Sequence, residues 1–157
     1  MIGQPSITTQ MVEQFAEWQA SILAVQDVPA EQTNRYGIVS GQAISNCLMD
    51  VTGSIEKPAP EVAPSTLAVA RRYILTSGVF KELENLPRGV GGEIQLTDGI
   101  ALLLRREKVF AFRYQGARYD CGSKLGFLQA TFDLAKQNHE LGKEFSAWLA
   151  SDVEVSN

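Results

Sequence analysis

The chain has 157 residues, of which 45% are hydrophobic, so it can bury the core of one globular domain over residues 1–157. Fourteen lysine and arginine residues against 18 aspartate and glutamate residues give a net charge of -4, which argues against nucleic-acid or anionic-membrane partners. Two cysteines and one histidine make neither a disulfide framework nor a zinc site, and without an apolar span or a charged leader we expect a cytoplasmic protein.

Apolar residues in the first part of the chain recur with the spacings of helices and strands. Three of them at helical intervals predict an amphipathic helix between Ser6 and Gln19. The continuous apolar run Ile22–Val25 is typical of a strand covered on both faces, which favours a parallel sheet flanked by helices. Pro29–Gln32 then suits the start of a short helical turn, because proline fits the first helical position.

A second extended segment starts at Tyr36-Gly37-Ile38-Val39. A glycine at the mouth of a strand usually relieves a turn, and it also lets a ligand approach the backbone closely. The polar residues 40–46 predict a hairpin connection, which leads into a strand that ends near Glu56.

Glu56 and Lys57 are adjacent charges where this strand gives way to a loop punctuated by prolines. Adjacent residues of an extended chain point to opposite faces, so a ligand touched by both must reach over the strand end or the chain must bend. Spacing alone favours a solvated charge pair, and a binding site at the strand end is the alternative.

The second half of the chain continues the alternation of strands and helices. We predict a strand over 67–75 interrupted by Arg71 and Arg72, a helix capped by Thr76–Ser77 that stops at Pro87, a helix over 96–104, a strand over 109–114, a helix over 125–135 capped by Ser123, and a final segment over 141–149 that packs on the body or on a second subunit. The loop 89–92 lacks the Lys-Ser or Lys-Thr ending of a phosphate-binding loop, so we interpret it as a flexible connection.

Three carboxylates of the second half also have simple interpretations. Asp120 lies at a strand-to-loop corner, where an aspartate near glycine most often accepts backbone hydrogen bonds. Glu93 and Asp98 are interpreted as first-turn charges favoured by a helix dipole, not as a catalytic pair.

Four motifs taken together resemble the bacterial UTP–glucose-1-phosphate uridylyltransferases. They are Tyr36-Gly37-Ile38-Val39, Gly53-Ser54-Ile55-Glu56-Lys57-Pro58, Glu93-Ile94-Gln95-Leu96-Thr97-Asp98 and Asp120-Cys121-Gly122-Ser123-Lys124-Leu125-Gly126. They stand in the family's order, and the resemblance runs from about Thr8 to Leu149. It implies an α/β fold, part of a Rossmann-like nucleotidyltransferase fold with a mixed sheet flanked by helices.

The resemblance also implies which part of the enzyme this chain is. The family's first half carries a glycine-rich nucleotide-binding loop and a magnesium-holding aspartate, and neither is found in these 157 residues. We therefore expect the carboxyl-terminal, sugar-phosphate-binding half, with the amino-terminal half as a missing partner. The full-length enzyme is expected to be a homo-oligomer.

By resemblance, the whole enzyme joins glucose 1-phosphate to the α-phosphorus of UTP, giving UDP-glucose and pyrophosphate. Lys57 would be the catalytic cation that holds the sugar phosphate, Glu56 would accept hydrogen bonds from glucose hydroxyls, and Gly37 would lie against the sugar. Asp120 would be a ligand of Mg²⁺. The family usually has a small residue where Arg71 stands, so an inward-pointing Arg71 would crowd the sugar pocket.

Three interpretations of the function are open. The first, which we favour, is the acceptor half of a uridylyltransferase, inactive alone because UTP has no binding loop. The second is a stand-alone nucleotide-sugar-binding or regulatory module without catalysis. The third is a structural fragment that does not fold alone, since exposed strand edges left by a missing half invite aggregation.

Overall fold

A computed structural model describes residues 1–88 and 92–155 of the chain. Most of the loop predicted to be flexible, residues 89–91, therefore lies outside the described residues. Contacts divide the chain into two compact units, which are Gly3–Gly116, and Met1–Ile2 together with the residues from Ala117 onward.

Helices and strands alternate in the larger unit. In chain order they are α1 (Ile7–Trp18), β1 (Ser21–Asp27), β2 (Gly37–Ala43), β3 (Leu48–Glu56), β4 (Leu67–Ile74), α2 (Gly78–Glu84), α3 (Leu96–Leu103) and β5 (Val109–Arg113), with short 3₁₀ helices at Ala30–Arg35 and Pro60–Val62. The smaller unit contributes α4 (Lys124–Gln137) and α5 (Gly142–Val155). The predicted helices near 11–18, 96–104 and 125–135 are thus confirmed.

The strands form a mixed sheet that closes on itself in the order β1-β4-β2-β3-β5. Strand β5 runs parallel to β1, whereas the other neighbouring strands are antiparallel. The α/β prediction of a mixed sheet flanked by helices is confirmed. The parallel pairing expected from the run Ile22–Val25 occurs between β1 and β5, but β4 pairs with the other edge of β1 in the antiparallel sense.

Strand β1 is the most deeply buried part of the sheet. Ile22, Leu23 and Ala24 are fully buried, because β1 is covered on both faces and paired on both edges. Leu23 packs in a core cluster with residues of α2 and α3. On another side of the core, the ring of Trp18 of α1 packs against Phe110 of β5 in a tilted arrangement, with 4.9 Å between ring centroids. Full burial of one such apolar side chain stabilises the fold by roughly 1.5–3 kcal/mol.

Two strands extend through residues that the sequence analysis assigned to a connection or to an interruption. The predicted connection 40–46 is wrong in extent, because Ser40–Ala43 pair with β3 and the turn spans only 44–47. Antiparallel pairing satisfies backbone groups whatever the side chains, so polar residues need not end a strand. Strand β4 likewise runs through Arg71, whose φ of 54° accompanies a register shift against β1.

The helix ends agree with the sequence in part. Ser123 accepts a hydrogen bond from the Gly126 amide at 3.0 Å, as predicted for a helix cap. Ser77 stands at the cap position of α2, but its side chain makes no cap hydrogen bond, so that predicted cap is wrong in its chemistry. No helix within residues 1–88 and 92–155 is long and apolar enough to cross a membrane.

The first and last segments of the larger unit are joined by Gln10 of α1. Its buried side-chain amide donates to the carbonyl oxygens of Pro5 at 2.9 Å and of Gln115 at 2.8 Å. The amide oxygen of Gln10 accepts from the Gln115 backbone N–H at 2.8 Å. Because buried polar groups are costly when unpaired, these bonds fix the two segments beside each other.

In the smaller unit, α4 and α5 pack through aromatic side chains. The rings of Phe132 and Phe145 lie 5.8 Å apart, and Phe145 lies 5.8 Å from Trp148. The aromatic side predicted for the last segment therefore contacts α4 of its own unit. Leu125 and Leu128 of α4 remain more than 60% exposed.

A glycine in the β2–β3 hairpin gives a test of the register. A Cβ at Gly41 would overlap the carbonyl carbon and oxygen of Asp50, which are backbone atoms and cannot rotate away. We expect Gly41→Ala to lower the free energy of unfolding by about 1–3 kcal/mol, the usual cost of overpacking. Gly53→Ala is the matched control, because its Cβ would meet only the Ser40 hydroxyl, at 3.1 Å. Equal urea midpoints for the two variants would contradict this register.

Candidate functional site

A cavity of about 350 Å³ opens in the larger unit beside the ends of β2 and β3. Three of the four predicted site residues, Gly37, Glu56 and Lys57, line it. The charged and hydroxyl-bearing residues among its lining are Tyr36, Glu56, Lys57, Arg71, Tyr73 and Thr97. The cavity therefore offers both cations and hydrogen-bonding groups to a polar, anionic ligand.

The Glu56 carboxylate is held by an element distant in sequence. Pairing of β2 with β3 sets Glu56 opposite Gly37, and the Lys57 amide donates to the Tyr36 carbonyl at 2.9 Å. From α3, the Thr97 hydroxyl donates to Glu56 Oε2 at 2.7 Å. One carboxylate oxygen is thus engaged by the protein, while the side chain remains 31% exposed to the cavity mouth.

Gly37 leaves the space that this arrangement needs. A Cβ built on Gly37 would lie 3.1 Å from Glu56 Oε2 and 3.6 Å from the Thr97 hydroxyl. A side chain there would make the carboxylate shift by a few tenths of an ångström and would be in ordinary contact with Thr97, so the glycine relieves crowding at the cavity wall.

Lys57 shares the cavity with Glu56 because the chain bends at this residue. Its φ is 47°, in the left-handed region, so the alternation of an extended strand ends here. The Lys57 ammonium lies 3.9 Å from Glu56 Oε1 and its side chain is 57% exposed. Glu56 and Lys57 therefore face the same cavity because the chain bends at Lys57, and a ligand need not reach over the strand end to contact both.

Arg71 and Tyr73 from β4 complete the polar wall. Arg71 lines the cavity, which is the position in which its side chain would narrow the pocket. Burial raises the pKa of the Tyr73 hydroxyl, the nearby Glu56 carboxylate raises it further, and Arg71 opposes the shift. Tyr73 is therefore a neutral hydroxyl at physiological pH, able to donate or accept a hydrogen bond.

Sequence reasoning missed Thr97 and Tyr73 as site residues. Thr97 belongs to the motif 93–98, which contributed to the resemblance but whose residues were interpreted individually only as the start of a helix. Its position at the beginning of α3 was the available signal, because side chains at a helix start can face a neighbouring strand end. Asp98 lies in the first turn of α3 as predicted, whereas Glu93 precedes the helix.

Asp120 lies in the smaller unit. Its Oδ1 accepts from the Gly122 amide at 3.3 Å, and its carbonyl accepts from the Ser123 amide and hydroxyl at 3.0 Å each. Over the described ranges no three Cys, His, Asp or Glu side chains form a metal-binding group. In general, one carboxylate can contribute a ligand to a Mg²⁺ ion that takes the others from substrate phosphates and water.

Comparisons with solved structures define the class of protein first. A UDP-glucose pyrophosphorylase in complex with UDP-glucose matches with a TM-score of 0.80 at 36% identity, over 85% of this chain and 51% of that one. A UTP-bound UGPase from Acinetobacter baumannii matches with a TM-score of 0.79 at 38% identity, over 90% of this chain and 49% of that one. The fold is that of a nucleotidyltransferase.

Curated sequences add relatives of the same kind. A UTP–glucose-1-phosphate uridylyltransferase from Pseudomonas aeruginosa is 41% identical over 138 residues, or 88% of this chain and 50% of the relative. The Bacillus subtilis relative of that name is 42% identical over 132 residues, or 84% of this chain and 45% of the relative. No protein-family model matches the chain. The predicted resemblance to the bacterial UTP–glucose-1-phosphate uridylyltransferases is confirmed, and the chain spans about half the length of the curated relatives it matches.

The raised pKa of Tyr73 gives a test of the cavity wall. Between the ordinary tyrosine pKa of about 10 and the raised value, the unfolded chain loses a proton that the folded chain keeps, so stability falls as pH rises through this window. We expect Tyr73→Phe to remove a component that titrates above pH ~10 from the tyrosinate absorbance of the folded protein. Tyr119 also has a raised pKa, through its hydrogen bond to Asp133, so the proteins with Tyr73 and with Tyr73→Phe are compared in a Tyr119→Phe background. Loss of a component that titrates at or below pH ~10 would contradict the burial of Tyr73.

Proposed function

We propose that this chain is the sugar-phosphate-binding, carboxyl-terminal half of a UTP–glucose-1-phosphate uridylyltransferase. The complete enzyme would transfer the uridylyl group of UTP to glucose 1-phosphate, releasing pyrophosphate and forming UDP-glucose. The observation that carries the proposal is the cavity in which Glu56, oriented by Thr97, lies beside Lys57 and Gly37. The similarity to uridylyltransferases over most of the chain supports it.

The chemistry that this cavity would serve is placement and neutralisation. A sugar phosphate attacks the α-phosphorus with an oxygen that is already anionic, so no general base is needed. Lys57 supplies a compact cation for that phosphate. A bound Mg²⁺ would neutralise charge on the nucleotide phosphates, and Asp120 is the carboxylate that we propose to hold it.

Glu56 would select the sugar. Thr97 donates to Oε2, and Oε1 lies 3.9 Å from the Lys57 ammonium. An ionised carboxylate accepts stronger hydrogen bonds from sugar hydroxyls than a neutral amide does. Gly37 keeps the wall flat enough for a ring to approach the backbone. We therefore assign the hydroxyls to Glu56 and the phosphate to Lys57.

A stand-alone binding module is the second candidate. It is favoured by one observation, that every lining residue of the cavity belongs to the larger unit Gly3–Gly116. In that case the chain would bind UDP-glucose tightly without any partner. Isothermal titration of the chain with UDP-glucose and with glucose 1-phosphate separates the candidates. If the chain is half of a uridylyltransferase, we expect the sugar phosphate to account for most of the affinity for UDP-glucose.

The role of Lys57 is testable by equilibrium binding. We expect Lys57→Ala to weaken glucose 1-phosphate binding roughly ten- to a hundredfold, the effect of losing a charge-assisted contact of ~1.5–3 kcal/mol, and Lys57→Arg to weaken it less. Alanine at this position meets the same left-handed backbone, so stability should change little. Lys81→Ala, on the exposed side of α2, is the charge-matched control. Unchanged affinity in Lys57→Ala would refute the phosphate role.

Glu56→Gln tests the sugar role separately. We expect this variant to lose preference for glucose 1-phosphate over inorganic phosphate, because the amide keeps the shape of the side chain and loses the charge that accepts hydroxyl protons. Competition titrations with the two ligands measure the preference. If the preference is unaltered, Glu56 has no role in sugar binding and is a solvated charge paired with Lys57.

The proposal also predicts what a polypeptide of these 157 residues does alone. With UTP, glucose 1-phosphate and magnesium it should release no pyrophosphate above background, because the sequence contains no phosphate-binding glycine loop for UTP. A coupled pyrophosphatase assay measures release, with the Pseudomonas aeruginosa relative as the positive control. Turnover that disappears in Lys57→Ala would overturn the half-enzyme proposal.

A further inference from the structure

Two residues of the cavity have an unfavourable backbone conformation. Among residues 1–88 and 92–155, the non-glycine residues with positive φ are Gln19, Lys57 and Arg71. Gln19 is explained by its position, since it ends α1 as a left-handed cap. Lys57 and Arg71 are cations that line the same cavity. Such conformations of non-glycine residues collect at functional sites, so both positions are candidates for a functional role.

The bulge of β4 accounts for the backbone conformation of Arg71, but it does not call for a cationic side chain at this position. Arg71 lies in β4 where the register against β1 shifts, and its side chain is exposed. In the described part of the chain its guanidinium has no ion-pair partner, whereas Arg113 is paired with Asp27 at 2.9 Å and Arg106 with Glu82 at 2.8 Å. Within the described residues the positive charge of Arg71 is therefore not offset by an ion pair.

The charges of the cavity indicate what Arg71 would meet. Glu56 and Lys57 offset each other at 3.9 Å, and Arg71 is left as the surplus positive charge among the lining residues. A phosphate monoester carries between one and a half and two negative charges near pH ~7, because its second pKa is about 6. One lysine neutralises only part of that charge. A guanidinium can bind two phosphate oxygens at once through parallel N–H groups.

We propose that Arg71 is a second phosphate-binding residue of this cavity, acting with Lys57 to select a doubly charged sugar phosphate. The identity of the ligand rests on the proposed function, and the selection for double charge is additional to it. Arg71 would narrow the cavity and would also contribute a binding group. The cavity would therefore favour ligands with a doubly charged phosphate.

The experiment measures binding of two sugar ligands that differ in charge. Glucose 1-phosphate and glucose 1-sulfate have similar shapes, but the sulfate carries a single negative charge. Titration calorimetry of the wild-type chain should give tighter binding of the phosphate. Arg71→Gln should weaken phosphate binding about tenfold and sulfate binding much less, and Arg71→Lys should restore part of the loss. Arg105→Gln, an exposed arginine that does not line the cavity, is the charge-matched control.

Arg71→Gly separates binding from folding. Glycine adopts a φ of 54° without strain, so this variant should melt at the wild-type temperature or above it, while its affinity for glucose 1-phosphate falls as in Arg71→Gln. A variant that is both stable and weak in binding cannot be explained by misfolding.

The possible failures are distinct. If Arg71→Gln binds glucose 1-phosphate like the wild type while Lys57→Ala binds weakly, the inference about Arg71 is wrong and the proposed function stands. Tighter binding in Arg71→Gly would mean that the arginine only obstructs the cavity, which also overturns the inference. If the wild-type chain binds glucose 1-phosphate no better than glucose, both proposals are wrong.

Discussion

Strands β2 and β3 are paired so that Gly37 lies opposite Glu56, and the groups of the cavity take their positions from this register. A slip of one residue would turn every side chain of β3 to the opposite face, carrying Glu56 away from Thr97. The close approach of Gly41 to Asp50 resists such a slip, because a shifted strand would bring a side chain against backbone atoms. The hairpin and the carboxylate are thus fixed by the same pairing.

The core behind the cavity supplies the rigidity that a binding wall needs. Strand β1 is buried on both faces, and α3 packs on the same core cluster while its first turn presents Thr97 to Glu56. A donor carried on a packed helix has little freedom, so the carboxylate is oriented before any ligand arrives. Preorganised hydrogen-bonding groups reduce the ordering that binding must otherwise impose.

Sequence patterns predicted the elements better than they predicted the connections between them. The buried run Ile22–Val25 and the periodic helices were found because apolar spacing reports burial directly. The polar outer part of β2 was assigned to a turn, since its stability comes from backbone pairing that leaves no apolar signal. The continuity of β4 was missed for a related reason, because a left-handed residue at Arg71 keeps the strand paired through a bulge.

For the candidate site, the sequence could predict only residues that are neighbours within one motif. Glu56 and Lys57 could be named from a motif, but their meeting in one cavity depends on the backbone conformation of Lys57, which no side-chain pattern encodes. Thr97 lies 41 positions from Glu56, so its hydrogen bond is a product of tertiary packing. Resemblance identified the motif that contains Thr97 without indicating what that residue contacts.

The clamp formed by Gln10 has a consequence for how the larger unit can be connected to other sequences. Because Gln10 bonds both Pro5 and Gln115, the entry and exit of this unit are adjacent. A unit with adjoining ends can be inserted into a surface loop of an unrelated host, or its ends can be joined and new ones opened elsewhere. The exposed turn 44–47 is a suitable place for the new ends, since it lies away from the strand ends that line the cavity. The cavity would then be a transferable module whose ligand binding can be coupled to the folding of a chosen host.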